Sequence, residues 1–85
     1  MTIAKERIRE FISSVIYRQF ADDEPLVAKH ILDSMALVEL VLKLEAEYGV
    51  KIYPLEMTAE NFDSVGAIIR LLERKQAAAG GSSKQ

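Results

Sequence analysis

The chain has 85 residues, a net charge of −2 and 49% hydrophobic residues, with no cysteine and a single histidine. This length makes one domain, and without disulfides or a zinc cluster its stability must come from packing alone. A pI near 5.4 excludes the basic face that nucleic acid needs, and no apolar run is long enough to span a bilayer.

The N-terminus also lacks a signal-peptide core, so the expected location is the cytoplasm. Residues 2–20 are expected to form the first helix, with Thr2 as a candidate cap. Ile3, Ile8, Phe11, Ile12, Val15, Ile16 and Phe20 fall close to helical spacing, with Ser13 and Ser14 on the outer face. Asp22-Asp23-Glu24-Pro25 then stops the helix, because proline disfavours helical geometry in the residue before it. These acids lack the alternating ligands and glycine of a calcium loop and read as a solvated turn. Leu26, Val27 and Ile31 are expected to tuck the 21–31 connection onto the core. His30 invites a catalytic reading with Ser34, but nucleophilic chemistry needs a base in reach and an orienting group behind it. Neither follows from the residues, so His30 reads as a loop residue.

Residues 32–48 are the stretch around which the chain is organised. Asp33-Ser34 is a cap pair, since a short side-chain oxygen accepts from the free amides of a helix's first turn. If Asp33 caps, the Ser34 hydroxyl is free at the positive end of the helix dipole, where a phosphate is favourably placed. Leu37, Leu40, Val41, Leu44 and Tyr48 follow the spacing of one buried face. Met35, Val38 and Leu42 make a second apolar line. Two readings fit it: a docking surface beside Ser34, or residues that close the core under a loop. The same stretch carries Asp33, Glu39, Glu45 and Glu47 against Lys43 alone, a charge that suits a basic partner.

Gly49 ends this helix, as glycine tolerates the left-handed conformation there. Residues 50–53 alternate like a strand but have no pairing partner, so they read as an extended connection with Val50 and Ile52 inward. The loop continues through Pro54 to Met57, and Thr58 caps a short helix over residues 59–62 anchored by Phe62. Asp63-Ser64-Val65 repeats the Asp-Ser-apolar pattern and opens the last helix, whose stripe is Val65, Ile68, Ile69 and Leu72. The pattern alone is therefore weak evidence for chemistry. From Gln76 the chain reads as a helix end fraying into a tail, giving a domain of residues 1–76 and a flexible tail of 77–85. The expected fold is all-α: a bundle of three longer helices and one short one.

Ile31-Leu32-Asp33-Ser34-Met35, followed by Leu37-Val38-Glu39-Leu40-Val41 and Leu44-Glu45-Ala46-Glu47-Tyr48-Gly49-Val50, resembles the central helix of acyl carrier proteins. The resemblance continues through Ile52, Thr58-Ala59-Glu60-Asn61-Phe62 and Ser64-Val65-Gly66-Ala67-Ile68. It implies a non-enzymatic carrier, with 4′-phosphopantetheine attached to Ser34 through a phosphodiester. A separate phosphopantetheinyl transferase would bring this arm from coenzyme A. Asp33 would help present the serine, and the arm's thiol would hold an acyl or aminoacyl group as a thioester. Met35, Val38, Glu39 and Leu42 would face partners: the transferase, a loading ligase or adenylating enzyme, and a downstream transferase or synthase. A stand-alone monomer in fatty-acid, polyketide, nonribosomal-peptide or related biosynthesis is expected.

Departures from the family pattern refine this. Met35 stands where leucine is usual, a volume-conserving change. Ala36 stands where fatty-acid carriers usually have an acid, and Lys43 interrupts the helix's acidity. Both move the expectation toward aminoacyl, D-alanyl or specialised-metabolite carriers. The alternative class is an unmodified helical interaction module, for which Ser34→Ala would leave function intact.

Overall fold

Four α-helices and no strand occur among residues 3–82, which the computed structural model describes. They are α1 (Lys5–Ile16), α2 (Ser34–Tyr48), the short α3 (Ala59–Phe62) and α4 (Val65–Ser82), with a 3-10 turn at Pro54–Glu56. The expected all-α arrangement of three longer helices and one short one holds. Among the described residues no helix is long and apolar enough to cross a membrane.

Helix α1 is shorter than its apolar spacing predicts. It starts at Lys5 behind Ala4, which offers no side-chain cap; Thr2 lies outside the described residues. Ile3 and Ile8 occupy the two positions of a hydrophobic staple, and both are buried. At the other end Tyr17 turns left-handed (φ 59), and its amide returns to the Ser13 carbonyl at 2.8 Å. Phe20 therefore lies outside the helix yet is buried, because the chain folds back. Arg9 holds it there, with its guanidinium 4.2 Å from the ring centre and donating to the Phe20 carbonyl at 2.7 Å.

One core unites the helices. Ile8, Ile12 and Val15 come from α1; Leu37, Leu40, Val41 and Leu44 from α2; Val65, Ile68, Leu71 and Leu72 from α4. Helix α1 packs on both α2 and α4, while α3 packs on α4. Leu71 takes a fully buried position, whereas Ile69 of the expected stripe is only half-buried. Helix α4 runs on to Ser82, beyond the end expected near Gln76. The alanine run there has the highest intrinsic helix propensity and needs no core, as Ala77 and Ala78 are exposed.

The connection after α2 is extended, as its alternation implied, and Ile52 is buried. Its amide donates to the Glu45 carboxylate at 2.8 Å, so an acid of α2 serves the loop. Residues 54–56, expected as plain loop, wind into the 3-10 turn because Pro54 fixes the first backbone angle. Glu56 locks this turn to α4: both its oxygens take Lys75 Nζ, at 2.7 and 2.9 Å, and one also accepts the Tyr53 amide. Thr58 stands at the N-cap of α3 but makes no side-chain cap bond.

These ion pairs give the fold an acid limit. The hydrogen bond from Lys75, then that from the Tyr53 amide, holds the Glu56 carboxyl below its ordinary value of 4.5. The bond from Lys5, assisted by Arg9, holds Asp22 below 3.8. A carboxyl lowered by folding stabilises the native state above its unfolded value, and that contribution is lost as pH falls through the folded value. Stability is thus expected to hold from neutral pH to about 4.5, the ordinary Glu56 value, and to fall below it. Urea midpoints at pH 6 and pH 3 check this, and Glu56→Gln is expected to shrink the difference. An unchanged difference in that variant would contradict the assignment.

Candidate functional site

The start of α2 gathers the residues that the sequence singled out. Asp33 is the N-cap: its backbone is extended and Oδ1 accepts from the Ala36 amide at 2.9 Å. Its carbonyl accepts the Leu37 amide at 2.8 Å. Ser34 is consequently the first residue of the helix. It is exposed, and its hydroxyl bonds to no described residue. The first-turn amides of Ser34 and Met35 likewise have no described acceptor, so two donors at the dipole's positive end share the first turn with an available oxygen.

The second Asp-Ser pair divides its work differently. There Ser64 is the cap, its Oγ accepting from the Ala67 amide at 3.1 Å. Asp63 bonds elsewhere, to the amides of Val27 and Ala28. The same dipeptide therefore leaves one serine free and commits the other. A one-residue shift of helix start causes the difference, since α2 begins at Ser34 and α4 begins after Ser64.

The second apolar line of α2 is open. Met35 is 77%, Leu42 60% and Val38 48% exposed, while Leu37, Leu40, Val41 and Leu44 are buried. The reading in which Met35 and Val38 close the core under a loop is thereby overturned, since both side chains are exposed. Glu39 is exposed beside this line and has no described partner. The acidity of α2 is thinner than its composition implies. Glu45 is tied to Ile52, and Glu47 pairs with Arg7 of α1 at 3.3 Å. Glu39 is the acid of α2 left without a described partner on this face, while the carboxylate of Asp33 serves as the cap. His30 lies in the preceding loop, exposed and in the left-handed conformation (φ 59).

The most exposed large apolar side chain among the described residues was not anticipated. Leu55, on the 3-10 turn, is 92% exposed. The signal was Pro54, which forces the turn that lifts the next side chain off the core.

The available geometry suits a phosphate ester: an exposed hydroxyl, free amides at a helix start and apolar surface alongside. Residues 6–72 match the family model described as the phosphopantetheine attachment site. The chain belongs to this family of carrier proteins. It is 30% identical over 79 residues to the acyl carrier protein of Thermotoga maritima, covering 85% of this chain and 95% of that protein. Identity to the D-alanyl carrier protein of Leuconostoc mesenteroides is 28% over 71 residues, covering 81% and 91%. Aminoacyl carrier protein 2 of Bradyrhizobium diazoefficiens is 49% identical over 41 residues, a match that spans 48% of this chain and 46% of that relative.

This carrier is thus not itself an enzyme; its cargo is held on a covalently attached 4′-phosphopantetheine. Such a carrier works with transferases and ligases that act on it. The free first-turn amides fit the phosphate of the arm, which supplies a thiol to which cargo is bonded.

Proposed function

We propose that Ser34 carries the 4′-phosphopantetheine arm and that Met35, Val38, Glu39 and Leu42 form the surface read by partners. The observation that carries this is the division of labour at the start of α2. Asp33 takes the capping role and leaves the Ser34 Oγ free of any described partner, at an exposed helix start. Attack of that oxygen on the pyrophosphate of coenzyme A, catalysed by a phosphopantetheinyl transferase, forms the phosphodiester and releases the adenosine bisphosphate part. Asp33 orients the serine through its cap bond and adds negative charge for the transferase to recognise.

An adenylating ligase then loads the thiol, and a downstream transferase or synthase unloads it. An aminoacyl cargo is favoured over a fatty-acyl chain. Two of the relatives are named for aminoacyl and D-alanyl groups, and Ala36 and Lys43 reduce the acidity around Ser34. The carrier unit is residues 1–76, acting as a cytoplasmic monomer.

Incubation with coenzyme A, magnesium and a broad-specificity phosphopantetheinyl transferase tests this by intact mass. One added phosphopantetheine is expected. No gain in a folded sample would favour the unmodified interaction module instead.

The partner surface has its own test. Met35 and Leu42 are exposed, so Met35→Ala and Leu42→Ala should shift stability by no more than about 0.5 kcal/mol. Apolar anchors at an interface cost more than about 1 kcal/mol when truncated, so the double variant should lower the transferase's kcat/KM roughly tenfold. Unchanged kinetics in the double variant would remove these residues from the docking surface.

A further inference from the structure

We propose that Asp63 is a positioning residue for the Ser34 acceptor, a role that rests on the attachment reading above. Asp63 follows α3 directly, and its carboxylate reaches across the fold to the connection before α2. Oδ1 accepts from the amides of Val27 at 2.7 Å and Ala28 at 3.0 Å, while the Asp63 carbonyl accepts from Leu26 at 2.8 Å. Those amides open a single helical turn, in which the Lys29 amide bonds to the Pro25 carbonyl and the His30 amide to Val27. A turn so short has unpaired amides at its start, and the adjoining Pro25 and Leu26 have no side-chain acceptor to cap them. Asp63 supplies that cap from a distant part of the chain.

The turn then closes on itself. The Leu32 amide donates to the Leu26 carbonyl at 2.8 Å, and both leucines are buried. The next residue is Asp33, the cap of α2, and after it comes Ser34. Three hydrogen bonds accepted by one residue therefore fix the base of the loop whose exit places the acceptor hydroxyl. His30 reports the constraint, because a non-glycine residue at φ 59 persists only where its surroundings impose that conformation. A carboxylate bonding two amides makes a strong clasp. Without it the loop samples other arrangements, and a transferase binds only the fraction that presents Ser34 correctly, so the apparent KM rises by the inverse of that fraction.

The experiment measures kcat and KM of a broad-specificity transferase for wild type, Asp63→Ala, Asp63→Asn and Asp63→Glu. Asp63→Ala is expected to raise KM about tenfold with kcat within about twofold, because the seated loop is restored by binding. Asp63→Asn keeps Oδ1 and should stay within about threefold of wild type. If Asp63→Ala does not fold, Asp63→Glu carries the test, since its longer carboxylate displaces the clasp and should raise KM. Val15→Ala hollows the core beneath α1, and should lower the melting temperature with KM unchanged. Faster amide exchange at Val27 and Ala28 should accompany the raised KM. A folded Asp63→Ala with wild-type KM, or an Asp63→Glu with wild-type KM where Asp63→Ala does not fold, overturns this proposal alone. So does a KM rise of the same size in Val15→Ala. A wild type that accepts no arm overturns the attachment reading and this proposal with it.

Discussion

Ser34→Ala is expected to abolish transfer of phosphopantetheine, while Ser64→Ala accepts the arm at the wild-type rate. The two serines share the dipeptide Asp-Ser and a place at a helix start, yet their oxygens do different things. Ser34 Oγ has no described hydrogen-bond partner and is the oxygen proposed to form the phosphodiester. Ser64 Oγ is occupied by the Ala67 amide at 3.1 Å. Removing it leaves a first-turn amide of α4 without its cap, a loss of about 1 kcal/mol. The pair should therefore separate cleanly: one variant loses modification and keeps its stability, the other keeps modification and loses stability. Transfer of a labelled arm and urea denaturation read the two properties. Modification of Ser34→Ala would contradict the site, whatever its rate.

Phe62→Ala should be among the most destabilising single substitutions in the chain. Phe62 is fully buried on a helix of four residues, too short to persist alone and lacking a side-chain bond from its cap residue. Its ring is what fixes α3 in the core. Truncation leaves a cavity as well as lost apolar burial, together about 3–5 kcal/mol. A domain of this size has a total stability of about 4–13 kcal/mol at ordinary per-residue values, so this loss removes a large share of it. Asp63 follows immediately, so loosening α3 should also free the clasp on Val27 and Ala28. Equilibrium urea unfolding checks the size of the effect. A variant within about 1 kcal/mol of wild type would show that the site can repack around the gap.

Helix α2 was legible because its signals agree: Asp33 at the start, Gly49 at the end, and a buried stripe at three- and four-residue spacing between them. Its second apolar line was not decidable from spacing, which says that Met35, Val38 and Leu42 share a face but not whether a loop covers it. The ends of α1 were misjudged for a related reason. Phe20 continues the helical spacing by coincidence, and its burial comes from a chain reversal at Tyr17 that no glycine or proline announces. Helix α4 continues past Gln76 because an alanine run favours helix whether or not it is buried, and Ala77 and Ala78 are exposed, so hydrophobic periodicity carries no record of it. At the start of α2, the free hydroxyl of Ser34 was legible through the capping role of Asp33. The role of Asp63 was not, since its partners lie 35 and 36 residues away and only the folded chain brings them together.

The most direct measurement is the location of the arm after transfer, read by tryptic peptide mass. Cleavage at Lys29 and Lys43 isolates Ser34 on residues 30–43, and cleavage at Lys51 and Arg70 isolates Ser64 on residues 52–70. The added mass is expected on residues 30–43 alone. An arm on residues 52–70, or a folded chain that accepts none, would contradict Ser34 as the attachment point.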